Sequence, residues 1–240
     1  MKKPLVIITG ASSGIGAATA RLFSAAGHPL LLLARRLERL QALELPDTLC
    51  VALDVCDRAA MRDAVAMAER HYGPADALVN NAGVMLLGAM SRQDPAEWDS
   101  MLDVNVKGLL NGIHAVLKGM VARRGGSIIN VSSVAGRKTF PNHVAYCGSK
   151  FAVHAISENL REEVAGSDVR VITIAPGATD TELLGHTSDE GIKRGYQEWK
   201  EQMGGVLAAG DVAVAILYAY RQPQNVCIRE IVLAATRQAA

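Results

Sequence analysis

The opening of the chain constrains its fold more than any other stretch. The apolar and β-branched run Leu5-Val6-Ile7-Ile8-Thr9 passes straight into the glycine-punctuated turn Gly10-Ala11-Ser12-Ser13-Gly14-Ile15-Gly16 and from there into a helical period. A short, continuous apolar run bounded by turn residues reads as a strand buried on both faces, and a strand that turns directly into a helix begins a parallel crossover unit. The pattern recurs down the chain, predicting strands at 5–9, 30–34, 49–53, 77–80, 127–132, 169–175 and 228–233. Helices are expected between them at about 14–26, 37–43, 58–71, 95–123, 145–165 and 211–221. Strands alternating with helices make a parallel sheet covered on both faces. One segment, 181–209, is polar and glycine-punctuated, long enough to hold small helices of its own and placed to act as a substrate lid.

At 240 residues, half of them hydrophobic, the chain can bury one ample core, and a single domain over 1–240 is expected. Apolar runs such as 30–34 are far shorter than a membrane span, and Met1-Lys2-Lys3-Pro4 leads into too short an apolar stretch for a signal peptide, so a cytoplasmic protein is expected. Cys50, Cys56, Cys147 and Cys227 lack C-x-x-C spacing and read as reduced thiols. His28, His71, His114, His143, His154 and His186 have no metal-ligand spacing, so no metal is expected. A net charge of +1 without a basic run gives no footprint for nucleic acid. The expected partner is a small molecule.

The turn after the first strand is suited to an anion. Gly10 permits the tight turn, Gly14 lets backbone approach a pyrophosphate, Gly16 allows close helix packing, and free N–H groups of Ser12, Ser13 and Ile15 sit where the helix dipole attracts negative charge. This Thr9-Gly10-Ala11-Ser12-Ser13-Gly14-Ile15-Gly16 run resembles the opening motif of the short-chain dehydrogenase/reductase family. Asn80-Asn81-Ala82-Gly83 is similar to the family's element after the fourth strand, Pro176-Gly177 to its element after the sixth, and Asp54, with Val55 beside it, sits where the family contacts adenine. The resemblance spans essentially the whole chain. It implies a Rossmann-type three-layer α/β/α domain with seven parallel strands in the order 3-2-1-4-5-6-7, and a nicotinamide dinucleotide as cofactor.

Tyr146 and Lys150 are four apart and so share one helix face, where an ammonium would lower the phenol's pKa from about 10 toward a working acid/base. Ser133, at the carboxyl end of a strand, could hydrogen-bond the same substrate oxygen. The resemblance implies that Ser133, Tyr146 and Lys150 are catalytic, that Asn105 holds a water in the proton relay, and that Thr181, with Thr179 as the weaker candidate, steadies the carboxamide. The alternative class is a non-catalytic dinucleotide sensor, which has no need of Asn105, Ser133, Tyr146 and Lys150 together. Tyr196 and Lys200 repeat the spacing, but Leu183 stands where the serine should be, so they read as a solvated lid helix. His143 reads as a surface loop residue, and Ser132 as support through packing alone.

Enzymes that use NAD place an acid at the end of the second strand; here that place is Ala34, followed by Arg35 and Arg36, which suit a 2′-phosphate and predict NADP(H). Arg137 and Lys138 follow Ser133 and could hold a substrate carboxylate. The C-terminal 225–238 resembles the subgroup of serine and allo-threonine dehydrogenases and clavulanate-aldehyde reductases, implying a 3-hydroxy acid or 3-hydroxy amino acid. The alternative is an uncharged ketone or aldehyde in a pocket lined by Met85, Leu86 and Leu87. Helices 95–123 and 145–165 carry more apolar surface than one sheet face covers, and family members assemble through them, so a homotetramer, or else a homodimer, is expected.

Overall fold

Period-two burial, set by the alternation of side chains along a strand, divides the core between two sheet faces. The computed structural model describes residues 3–239. Its strands in chain order are β1 (Leu5–Thr9), β2 (Leu30–Ala34), β3 (Thr48–Ala52), β4 (Ala75–Asn80), β5 (Gly126–Val131), β6 (Val169–Pro176), β7 (Thr179–Asp180), β8 (Leu207–Ala208) and β9 (Glu230–Leu233). Its helices are α1 (Gly14–Ala25), α2 (Leu37–Gln41), α3 (Arg58–Tyr72), α4 (Pro95–Leu102), α5 (Leu109–Ala122), α6 (Val144–Val164), α7 (Glu190–Gln202) and α8 (Ala209–Tyr220). Seven strands form one parallel sheet in the order β3-β2-β1-β4-β5-β6-β9, the expected order with β9 as its seventh strand. Central β1 pairs with both β2 and β4, setting Ile7 opposite Leu31 and Leu78.

On one face Leu5, Ile7, Leu31, Leu33, Leu78, Ile128 and Val171 pack with Met61 and Val65 of α3, Ile113 and Val116 of α5 and Val153 and Leu160 of α6. On the other, Val6, Ile8, Leu30, Leu32, Val79, Ile129 and Ile172 pack with Phe23 of α1 and Ile216 of α8. Ile7 is fully buried, so Ile7→Ala should cost about 2 to 5 kcal/mol through lost transfer energy and the cavity left behind. Among the described residues no helix is long and apolar enough to cross a membrane.

Two departures from the sequence expectation bear on the site. The helix expected over 95–123 is broken into α4 and α5 by a π-helical turn, Asp103–Gly108, which contains Asn105. Periodicity over such a stretch continues through an inserted residue, which is why the break is not visible in sequence. The 181–209 segment holds a short 3₁₀ turn at Glu182–His186, then α7, and is tied down by the two-stranded β7–β8 ladder, which the sequence reading lacked. Two-residue strands carry too little pattern to be read.

Candidate active site

Every strand of the parallel sheet ends toward one edge, and there the loops after β1, β2, β3, β4, β5 and β6 enclose a cavity of about 870 Å³. Ligands of open α/β sheets bind at this edge, where the loops diverge.

One end of the cavity is built by the glycine turn. Gly10 and Gly14 both have positive φ, +64° and +50°, which a side chain would strain. A Cβ on Gly10 would lie 2.8 Å from the Ala82 Cα, one on Gly14 would lie 3.0 Å from the Thr181 methyl, and one on Gly16 would run into the Gly10 carbonyl. This is a cradle whose floor must be bare backbone, and it opens helix α1, so the residues present fit a pyrophosphate. Asn81 locks the turn from behind: its side-chain N–H groups donate to the carbonyls of Thr9 and Gly10 at 3.0 and 3.2 Å, while Thr9 Oγ1 accepts the Asn81 and Ala82 amides. Beyond the turn, Ala34, Arg35, Arg36, Leu53, Asp54 and Val55 line the same end. Arg36 donates to Ser12 and Ser13 Oγ and pairs with Glu182 at 3.1 Å, as does Arg39 at 2.6 Å, so the Arg36–Arg39 side of this end is knitted to the 181–209 segment. The arginines hold the Glu182 carboxyl below its ordinary pKa. Thr179 and Thr181 also line the cavity.

At the other end stand Ser133, Tyr146 and Lys150. Ser133 sits just past β5 with extended backbone, its Oγ accepting the Ala135 amide. Tyr146 and Lys150 lie one turn apart on α6, each about 5 to 6% exposed. Lys150 Nζ donates to the Val131 carbonyl at 3.1 Å and stands 5.9 Å from the Tyr146 ring centroid. Burial pulls the Lys150 ammonium down to about 8. Burial also raises the Tyr146 phenol, against a lowering hydrogen bond from Ser133. The sequence reading expected the lysine to do the lowering; here desolvation dominates, and the group working against it is Ser133. Asn105 Oδ1 accepts the Val84 amide at 2.8 Å, and its two side-chain N–H groups go to the Val84 carbonyl and Ser149 Oγ. Its side chain therefore has no donor left for a water, and what the π-helical turn alters is the carbonyl ladder around it.

With this geometry in view, a family model described as short chain dehydrogenase matches residues 4–191. The chain belongs to the short chain dehydrogenase family. It is 39% identical to an uncharacterized oxidoreductase of Staphylococcus saprophyticus, over 99% of this chain and 98% of that one. It is 40% identical to a glycine betaine reductase of Emericella nidulans, over 95% of this chain but 18% of that larger protein. Among solved structures, the closed form of a serine dehydrogenase complexed with NADP+ superposes with a TM-score of 0.91 at 33% identity, covering 98% of this chain and 96% of that one.

Several residues of this short chain dehydrogenase stand elsewhere than their sequence suggested. Arg137 is turned away from the cavity and pairs with Glu230 at 2.8 Å, while Lys138 is exposed with its ammonium over the Phe140 ring; neither lines the cavity wall. A loop position gives no direction, and Glu230 on β9 is too distant in sequence to be seen as the partner. Of the three apolar residues expected on the wall, Met85 and Leu87 line it and Leu86 does not. Ser132 is hydrogen-bonded as well as packed, contacting the Lys150 carbonyl and His154 Nδ1. His143 is half-buried on the wall, its ring 6.1 Å from that of Tyr146, and burial lowers its pKa. The α7 helix is solvated on one face only: Ile192, Tyr196, Trp199 and Lys200 face the cavity, joined there by Phe140, Leu183 and Leu184. The i, i+4, i+7 spacing of Ile192, Tyr196 and Trp199 was the available signal of that inward stripe.

Proposed function

We propose that this short chain dehydrogenase is an NADP(H)-dependent enzyme acting on a small secondary alcohol and its carbonyl partner, or an aldehyde, with the segment 181–209 as its substrate lid. The observation that carries the reading is one cavity with Ser133, Tyr146 and Lys150 at one end and the bare-backbone glycine turn, flanked by Arg35 and Arg36, at the other. A bound nicotinamide would supply or accept the hydride. Ser133 polarises the substrate oxygen, Tyr146 gives that oxygen its proton in the reducing direction, and Lys150 holds the cofactor ribose and keeps positive charge beside the phenol. Asn105 serves by its backbone: with its side chain tied to Val84 and Ser149, the π-helical turn presents a carbonyl to a relay water.

Arg35 and Arg36 present guanidinium groups where Ala34 offers no acid for a ribose hydroxyl, which favours a 2′-phosphate. The chain further acts as a homotetramer, joined through the exposed apolar residues Leu102 and Leu110 of α4 and α5 and Val144 and Phe151 of α6. Following 340 nm absorbance with NADPH and NADH against a panel of ketones, aldehydes and 3-oxo acids tests the reading. NADPH oxidation by at least one carbonyl at about tenfold higher kcat/KM than with NADH is expected. Absence of turnover with either cofactor, or an NADH preference, would overturn it.

A further inference from the structure

The Tyr196–Lys200 pair repeats the spacing of the Tyr146–Lys150 pair and faces it across the cavity, with no role in the chemistry above. Two polar groups stand in an aromatic and apolar wall. The Tyr196 phenol is half-buried, packed edge-to-face against Trp199 at 5.2 Å, and makes no hydrogen bond among the described residues. The His143 ring lies between the tyrosines, its centroid 6.1 Å from Tyr146 and 6.2 Å from Tyr196. Lys200 is 13% exposed, and among the described residues its one ionic contact is Asp180, 3.9 Å away and 83% exposed, too long for a hydrogen bond. Asp54 and Glu182 are the acidic residues on the cavity wall, and both belong to its cofactor end, Glu182 being held by Arg36 and Arg39. No carboxylate on that wall therefore answers Lys200. An ammonium held mostly out of water with only a long contact to a solvent-exposed carboxylate is incompletely compensated, and a charge-assisted hydrogen bond to an anion would complete it.

The geometry points to Tyr196 Oη and Lys200 Nζ as the recognition pair for a carboxylate on the substrate, held across the cavity from Tyr146. This rests on the dehydrogenase reading above and gives it a substrate class: a short hydroxy acid or oxo acid, in place of the Arg137 and Lys138 site that the sequence suggested.

The test uses the full chain with NADP+, with 3-hydroxybutyrate and serine as probes, each beside its methyl ester. Lys200→Met should raise KM for the acids about tenfold or more with kcat little changed, leave the esters unaffected, and be largely rescued by Lys200→Arg. Tyr196→Phe should show the same split at a smaller size, and Lys193→Met, on the same helix but bound to Glu190, should show none. Binding of the acids to the NADP+-loaded protein, followed by Trp199 fluorescence, reads the same pair without turnover, so failure of the pair is separable from failure of the dehydrogenase reading. Equal losses for acid and ester would overturn the assignment, as would weaker NADPH binding in Lys200→Met without an acid-to-ester split. So would a wild-type preference for the esters, or for a trimethylammonium aldehyde, over the acids.

Discussion

Helices α6 and α7 each carry tyrosine and lysine four residues apart, and both pairs look into one cavity, yet their surroundings differ. On α6 the pair is buried between β5, β6 and the π-helical turn, and Lys150 is fixed to the Val131 carbonyl. On α7 no residue is fully buried, and the helix begins on an Asp189 cap in a segment closed by the separate two-residue β7–β8 ladder. Spacing alone gives the two pairs the same face of a helix; what differs is desolvation and the presence of Ser133. A buried pair beside a strand end can be held in a reacting geometry, whereas a pair on a surface segment can follow a ligand.

The largest expected effect separates the two tyrosines. Tyr146→Phe should lower kcat by about 10² to 10⁴, the usual worth of a positioned acid/base, while NADPH affinity is retained. Tyr196→Phe should leave kcat within about tenfold, its effect falling on KM. Steady-state kinetics with fluorescence titration of NADPH measures both. A Tyr146 variant that keeps substantial turnover, or a Tyr196 variant that loses it, would reverse the roles given to the two helices.

The lysines differ in what burial does to stability. Lys150 titrates near 8 in the folded protein against an ordinary 10.5, so between those values the unfolded chain binds more protons and stability rises with pH. The penalty is fully present below pH 8 and gone above 10.5; by the size of the shift it is on the order of 3 kcal/mol at most. Lys150→Met should therefore stabilise the chain at pH 7 in urea unfolding, with the gain shrinking toward pH 10. Lys200→Met gives up only a long ion pair to the solvent-exposed Asp180 and should cost about 0 to 1 kcal/mol. A Lys150 variant whose stability difference stays flat with pH would remove burial as the distinguishing feature of α6.

The same contrast explains what could be read from sequence. The strands, the glycine turn and the α6 pair are legible because each is a local pattern backed by a neighbour, such as an apolar run before Gly10 or Ser133 thirteen residues before Tyr146, whereas the strand order came from the family resemblance. The inward stripe of α7 was present in Ile192, Tyr196 and Trp199 but was read as solvated, because nothing local says that the far side is a cavity wall. The direction of Arg137 depended on Glu230, ninety-three residues away. The π-helical turn at Asn105 carries a side chain tied to Val84, and the rise of the Tyr146 phenol comes from desolvation; neither has a sequence signature.

The smallest of these effects tests whether position gives meaning to a third short pattern, Arg35 and Arg36, as it does for the two tyrosine–lysine pairs. Arg36 is half-buried and already engaged by Ser12, Ser13 and Glu182, whereas Arg35 is exposed and lines the cavity. A surface ion pair such as Arg36–Glu182 contributes about 0 to 1 kcal/mol, so it yields readily to a dianionic phosphate making charge-assisted bonds to both guanidinium groups. The double substitution Arg35→Ala, Arg36→Ala should weaken NADPH binding about tenfold, or about 1.4 kcal/mol, and leave NADH within twofold to threefold. Calorimetric titration at two ionic strengths reads it, because the lost term is electrostatic and should be larger at low salt. Equal losses for NADPH and NADH would mean that the arginines hold the glycine turn through Ser12 and Ser13 instead of reading the phosphate, and the cofactor end would then resemble α6, where fixed geometry matters most.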